Sequence, residues 1–284
     1  MRHRFDVRIG PAGFRVGSDW RAPVEQLAAL YSDYPKPENG VPDFTVRLTA
    51  PRPWRRWLRP SVAIAGDYML PEAAPLPLRH GLLAAEMAMN LQMALGWRRH
   101  LLLHASAVEK DGRALVMSGE SGAGKSTLAA LLATRGWRLM GDEFALVHPR
   151  TGDVHAFPRL VSLKNESVAA MAAEVGEARW GPLLAGTPKG DIRHLVPGPA
   201  AIAAMDTPAR PMLLVFPRFG FAPAVRTVPP SEAFVRLTQA STNYTALAED
   251  GFKALHRLVA EVPSVAIDYP DGAAALALID ELVP

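Results

Sequence analysis

The chain has no cysteine in its 284 residues. Disulfides, thiolate catalysis and Cys-ligated zinc are excluded, and the absence suits a reducing compartment. Long hydrophobic runs are missing as well: Glu, Arg or Gly interrupts each apolar stretch well short of the ~20 residues a bilayer requires. The opening MRHRFDVRIG alternates charged and apolar side chains and lacks the apolar stretch of a secretory signal. Nor is there a large charge of one sign. Lys and Arg number 31 and Asp and Glu 28, a net charge of +3, too small an excess to point to nucleic acid or a membrane surface. These absences lead to the expectation of a cytoplasmic protein with no membrane partner. At 49% hydrophobic and 21% charged, the composition is that of an ordinary globular chain.

What is present divides near residue 80. Residues 1–79 read as a strand-rich N-terminal domain. Phe5, Val7 and Ile9 alternate with polar residues, as do Phe44, Val46 and Leu48, and helical spacing runs from Pro23 to Tyr34. Prolines at 35, 37, 42, 51, 53 and 60 forbid long central strands, and Pro71 to Pro77 reads as a connector. Residues 80–284 read as a second, α/β domain. A helix is expected over Leu78 to Trp97, with Glu86 and Asn90 four apart on it. A strand from His100, a turn at Asp111-Gly112 and a second strand form a hairpin. Strands are also expected at Trp137 to Met140, Phe144 to Val147 and Met212 to Phe216. Residues 156–211 read as loop-rich, and helices are expected over Ser231 to Ala240, Leu247 to Val262 and Ala273 to Leu282.

Directly after the hairpin stands GESGAGKST. It fits G-x-x-x-x-G-K-[ST] at Gly119, Gly124, Lys125 and Ser126. Glycines let the backbone curl so that successive N–H groups of Gly119, Glu120, Ser121, Gly122, Ala123, Gly124, Lys125, Ser126 and Thr127 turn toward phosphate oxygens, and the following helix offers its positive N-terminus to the same anion. Lys125 reaches the outer phosphates and the Ser126 hydroxyl is a magnesium ligand, so ATP and Mg2+ are the expected cofactors. A chance match in a chain this long is roughly a 1% event.

Seventeen positions after Lys125 stands Asp142, in RLMGDE, which sets an acidic pair at the end of an apolar strand. So short a return brings Asp142 and Glu143 back beside the phosphates, where one carboxylate can hold magnesium and the other can accept a proton. It also predicts a mixed rather than parallel sheet.

The run HASAVEKDGRALVMSGESGAGKSTL followed by RGWRLMGDE resembles the catalytic domain of HPr kinase/phosphatase, in which a strand histidine, a G-x-S-G-x-G-K-S loop and an acidic pair occur in this order. More closely, the chain is similar nearly end to end to the group called HPr kinase-related kinase A, through RLVSLKNESV (159–168), TPKGDIRHL (187–195), Asn243-Tyr244 and Gly251-Phe252. The resemblance implies an HPr kinase-like P-loop fold and a kinase acting on a hydroxyl. It makes Asp142 the base for that hydroxyl, Glu143 the acid associated with magnesium, and His104 the histidine near the catalytic acid. This chain departs from the family in having Glu at 143 and S-T-L after the loop lysine. The family's phosphocarrier-binding E-I-R-G-L-G is absent, so HPr is not implied as the substrate.

Lys164, Asn165, Lys189, Arg193 and His194 fall in the two shared segments and are, by resemblance, candidates for acceptor and phosphate contacts. Arg159 or Arg193 is a candidate for positive charge on the transferring phosphoryl. HPr kinases are hexamers, so a homo-oligomer is expected. Related kinases occur beside genes for PqqD-type peptide chaperones, which makes a peptide or protein with a hydroxyl acceptor the expected substrate and such a chaperone a candidate partner. The alternative is a nucleotide-gated peptide-binding module that performs no transfer. Small-molecule chemistry of the phosphoenolpyruvate carboxykinase kind is a third reading, disfavoured because that family's further metal-binding histidine and lysine context is missing.

Two other features carry alternative readings. RPWRRWLR (52–59) mixes Arg with Trp as single-stranded nucleic-acid binders do, but the basic bias is local, and a protein or peptide docking surface is expected in preference. His100 and His104 have a zinc-like spacing only on a helix. In a strand they lie ~13 Å apart along the chain, so zinc is not expected.

Overall fold

The computed structural model describes residues 2–70 and 73–283, so Pro71 and Glu72 of the expected connector lie outside the described residues. The N-terminal sheet holds β1 (His3–Ile9), β2 (Ala12–Ser18), β3 (Phe44–Thr49), β4 (Ser61–Gly66) and β5 (Leu76–Pro77), in that order. β2 and β3 pair in parallel, which requires a crossover, and the crossover contains α1 (Arg21–Leu30). Val7, Ile9, Phe14, Val46 and Leu48 are fully buried in a cluster that also includes Leu82, Met89 and Met93 of α2 (Gly81–Gly96). Thus the helix that opens the expected second domain packs into the core of the first. Phe144, Leu146, Phe157 and Ile192, from much later in the chain, join the same cluster.

The expected strand after His100 is two strands, β6 (Leu101–Leu103) and β7 (Ala105–Lys110), which enter different sheets with His104 at the break. β7 turns into β8 (Arg113–Ser118) through Asp111 and Gly112, at φ 53° and 76°, the pair of positive angles a two-residue hairpin turn requires. After the P-loop come α3 (Lys125–Thr134), β9 (Arg138–Gly141), β10 (Ala145–Val147), β11 (Val154–His155), β12 (Val161–Lys164) and α4 (Glu166–Ala172). Then follow β13 (Leu184–Thr187), β14 (Gly190–Leu195), α5 (Pro199–Ala203), β15 (Arg210–Phe219), β16 (Ala224–Thr227), α6 (Pro230–Ala240), α7 (Ala248–Glu261), β17 (Ser264–Tyr269) and α8 (Gly272–Leu282).

The fold is α/β around a six-stranded mixed sheet of order β16-β17-β15-β8-β7-β9. β8, β15 and β17 run parallel, while β7, β9 and β16 are antiparallel to their neighbours. One face carries α3 and α8 through Leu128, Leu132, Val215, Ile267 and Ile279. The other carries α6 and α7 through Leu214, Phe216, Leu237, Leu255 and Leu258. Alternate residues of β15 feed the two layers, as period-two geometry dictates.

Residues 156–211, expected as loop-rich, contain the antiparallel sheet β12-β14-β13. Its strands are 4 to 6 residues long and are pinned by non-local packing on Trp180, Met171 and α3, a stabilisation that local periodicity does not register. Among the described residues no helix is long and apolar enough to cross a membrane.

Candidate functional site: a P-loop beside a buried acid

β8 ends at Ser118 and the chain then makes the loop Gly119–Gly124 before entering α3. Gly122 and Gly124 have φ of 89° and 91°, which L side chains rarely adopt, so these glycines are needed for the curl. Lys125 is buried, and its Nζ donates to the carbonyls of Gly119 (2.6 Å) and Glu120 (2.9 Å), so the loop closes around its own lysine. Burial lowers the lysine's pKa, opposed by the nearby carboxylates of Asp142 and Glu143 and reinforced by Lys164. Glu120 and Ser121 are exposed, and the Thr127 hydroxyl donates to Ser167 Oγ (3.0 Å), tying α3 to α4.

Asp142 follows the last residue of β9, which pairs with β7 and so stands two strands from β8. It is only 4% exposed. Ser106 of β7 donates to its Oδ1 at 2.7 Å, and the Ser162 N–H of β12 approaches its Oδ2 at 3.4 Å. Burial pushes the carboxyl pKa up, with help from the Glu143 charge; the hydroxyls of Ser106 and Ser126 and the Ser162 N–H pull it partly back. Ser126, the second residue of α3, is therefore brought to Asp142. Glu143 has φ 64° and a half-exposed side chain, and its Oε1 lies 3.9 Å from His104 Nδ1. Strained backbone at a non-glycine residue is frequent at functional sites. The donors gathered here, the Ser126 hydroxyl and two carboxylates, are hard oxygens of the kind that hold magnesium together with water and phosphate. Among the described residues no group of three His, Asp or Glu side chains is arranged to hold a metal ion by itself.

The candidate acceptor residues separate. In the β12–β14 pairing, Ser162 faces His194 and Lys164 faces Ile192, so Ser162, Lys164 and His194 share one face; the Ser162 N–H reaches Asp142, and the Lys164 charge acts on Lys125. His194 is buried, its pKa lowered by burial, and the charges that act on it are those of Glu86 and Arg159. Arg193 lies on the opposite face, donating to the Gly181 carbonyl (2.8 Å), paired with Glu177 and 5.1 Å over the Trp180 ring. Asn165 Oδ1 accepts from the Asp191 N–H (3.0 Å) and bolts the hairpin that carries the exposed Lys189. Arg159 is buried, bonded to Asn90 and to Glu86, including the Glu86 carbonyl at 3.0 Å. The two polar residues four apart on α2 are thus the seat of this guanidinium, whose charge acts on Glu143 from inside.

His100 and His104 do not meet. His100 stacks on Trp97 and accepts its indole N–H at Nδ1 (3.1 Å), with His148 and His155 rings 5.7 and 4.6 Å away. The basic tract 52–59 borders a groove of about 570 Å³ lined by Arg55, Arg59, Pro75 and Arg79 at the β5 edge, apart from the P-loop.

A family model described as the SynChlorMet cassette protein ScmC matches residues 82–174, the stretch that contains the P-loop, Asp142, Glu143 and Lys164. No curated protein matches the chain. Among solved structures, the Hpr(Ser) kinase/phosphatase from Coxiella burnetii is similar at 17% identity, covering 64% of this chain and 93% of its own, with a TM-score of 0.30. The α/β class is read from the sheet order itself.

Proposed function

We propose that the chain is a phosphotransferase that binds a nucleoside triphosphate with Mg2+ and passes the γ-phosphoryl group to a hydroxyl of a peptide or protein. The observation that carries this reading is the pairing of a P-loop lysine with a buried carboxyl whose pKa is raised. A pure binding site has no use for a buried carboxyl at that point, and its burial, only partly offset by Ser106, Ser126 and Ser162, costs stability unless the group serves chemistry. A base works best when its pKa approaches the operating pH, which is the direction in which burial moves Asp142.

In the proposed step the acceptor oxygen forms a bond to the γ-phosphorus while the bond from that phosphorus to the β-bridging oxygen breaks. The acceptor proton passes to Asp142, and the nucleoside diphosphate leaves with the bridging electrons. Lys125 exchanges its two loop carbonyls for phosphate oxygens. The loop N–H groups and Lys164 spread the developing charge. Ser126 and Glu143 would hold magnesium, which would supply charge neutralisation at the phosphates.

The test is thiophosphate transfer from γ-thio-ATP into host-cell extract, with products identified by mass spectrometry. Wild type is expected to label a discrete product and Lys125→Ala to label none. Nucleotide binding by wild type without any labelled product would favour a nucleotide-gated peptide-binding module.

A further inference from the structure

The edge of the central sheet that carries the P-loop extends past it on the side away from Asp142. There β15 and β17 end, and their last residues are Phe219 and Tyr269. The Tyr269 hydroxyl donates to the Ala123 carbonyl at 3.3 Å, and a Cβ placed on Gly124 would stand 3.3 Å from Phe219 Cβ, so the aromatic pair abuts the last turn of the phosphate loop. The two rings meet edge-on with centroids 6.0 Å apart. Tyr269 is buried, but Phe219 is 50% exposed and Phe221, just beyond Gly220, is 47% exposed. Gly220, at φ 89°, donates its N–H to the Tyr269 carbonyl (2.8 Å), which fixes the turn between the two phenylalanines. Half-exposed phenylalanines beside an anion cradle serve neither layer of the core.

We propose that Phe219, backed by Tyr269 and flanked by Phe221, is the platform on which the base of the bound nucleoside triphosphate stacks, and that it accepts either purine. The inference rests on the triphosphate reading above. A nucleotide whose γ-phosphate faces Asp142 extends its α-phosphate and ribose across the loop toward β15 and β17, the crevice outside the carboxyl ends of the strands. Asp268 and Asp271, the carboxylates at the end of β17 and the start of α8, are already engaged. Asp268 is paired with Arg218 (Nε to Oδ1 2.9 Å), whose guanidinium also lies 3.9 Å over the Phe221 ring, and Asp271 caps α8 by accepting the Ala274 N–H (2.9 Å). With Asp268 and Asp271 engaged, recognition falls to the π-face of the base. Face stacking scales with ring area, which favours purines over pyrimidines and separates ATP from GTP little.

The test is calorimetric titration of wild type, Phe219→Ala and Phe219→Trp with MgATP, MgGTP, MgCTP and Mg-tripolyphosphate. ATP and GTP are expected to bind wild type within about three-fold of each other, and CTP and tripolyphosphate more weakly. Phe219→Ala should weaken ATP about five- to hundred-fold, the range for loss of one base-stacking contact, while leaving tripolyphosphate unchanged; Phe219→Trp should restore ATP. An unchanged ratio of ATP to tripolyphosphate affinity in Phe219→Ala, or more than ten-fold discrimination between ATP and GTP, overturns the platform while the phosphate loop stands. Failure of wild type to bind even tripolyphosphate overturns the phosphate loop and the platform together.

Discussion

Gly122 and Gly124 share a backbone angle but not a neighbourhood, and substituting alanine at each separates strain from steric fit. Both have φ near +90°, so Ala at either position costs about 1–2 kcal/mol from the backbone alone. A Cβ on Gly122 meets nothing within 4 Å. At Gly124 it would overlap the Tyr269 hydroxyl. Displacing that hydroxyl forfeits its hydrogen bond to Ala123, about 0.5–1.5 kcal/mol, and adds overpacking of about 1–3 kcal/mol. Gly124→Ala should therefore cost roughly 2 kcal/mol more than Gly122→Ala, or about 4–8 °C in Tm for a chain of this size. Removing the obstructing oxygen with Tyr269→Phe should recover about 1–2 kcal/mol in the Gly124→Ala background, although the same change destabilises the wild type. Urea unfolding of wild type, Gly124→Ala, Tyr269→Phe and the double variant, read as a double-mutant cycle, measures the coupling, and Gly122→Ala supplies the backbone-strain reference. Equal losses at Gly122 and Gly124, or no recovery in the double variant, would refute the reasoning.

Other consequences concern the buried charges. Glu86→Ala leaves the Arg159 guanidinium buried without its carboxylate and should cost about 3–5 kcal/mol in urea unfolding, whereas Glu86→Ala with Arg159→Met should regain much of the loss. Acid should weaken the fold through His100, whose pKa is pushed down to about 3 by burial and by the nearby His155 and His148. Between pH 3 and 6.5 the unfolded chain binds more protons than the folded one at this residue, so stability rises with pH across that window and is lost as pH falls below 6.5. The slope from this group is at most about 1.4 kcal/mol per pH unit, and His100→Gln should flatten the pH dependence of the urea midpoint between pH 7 and 5.

The parts of the site that could be read in the sequence are those encoded locally. The hairpin turn at Asp111-Gly112, the loop glycines, Lys125 and the short return to Asp142 all lie within one segment of chain, where spacing dictates proximity. The mixed sheet followed from the same segment, because a hairpin before the loop cannot belong to a parallel array. What escaped depends on distant partners. Arg159 reads as a charge for phosphate until Glu86 and Asn90, some seventy positions earlier, are brought to it. Arg193 and His194 are adjacent in sequence but lie on opposite faces of β14, a distinction that requires recognising the strand. β17 was missed although Val265, Ile267 and Tyr269 alternate correctly, and with it the aromatic wall beside Gly124. The single strand expected after His100 splits because Leu101–Leu103 pairs with β10, a partner that comes forty residues later.

The most direct test of the central claim is phosphoryl transfer by Asp142→Asn alongside its affinity for MgATP. Transfer should fall about 10²- to 10⁴-fold, the usual loss when a general base is removed, with nucleotide affinity unchanged or increased. In wild type, transfer should fall on the acid side at a pH above the ordinary aspartate pKa of 3.8, because burial raises the pH at which Asp142 takes up its proton. Full transfer activity in Asp142→Asn would rule out Asp142 as the general base.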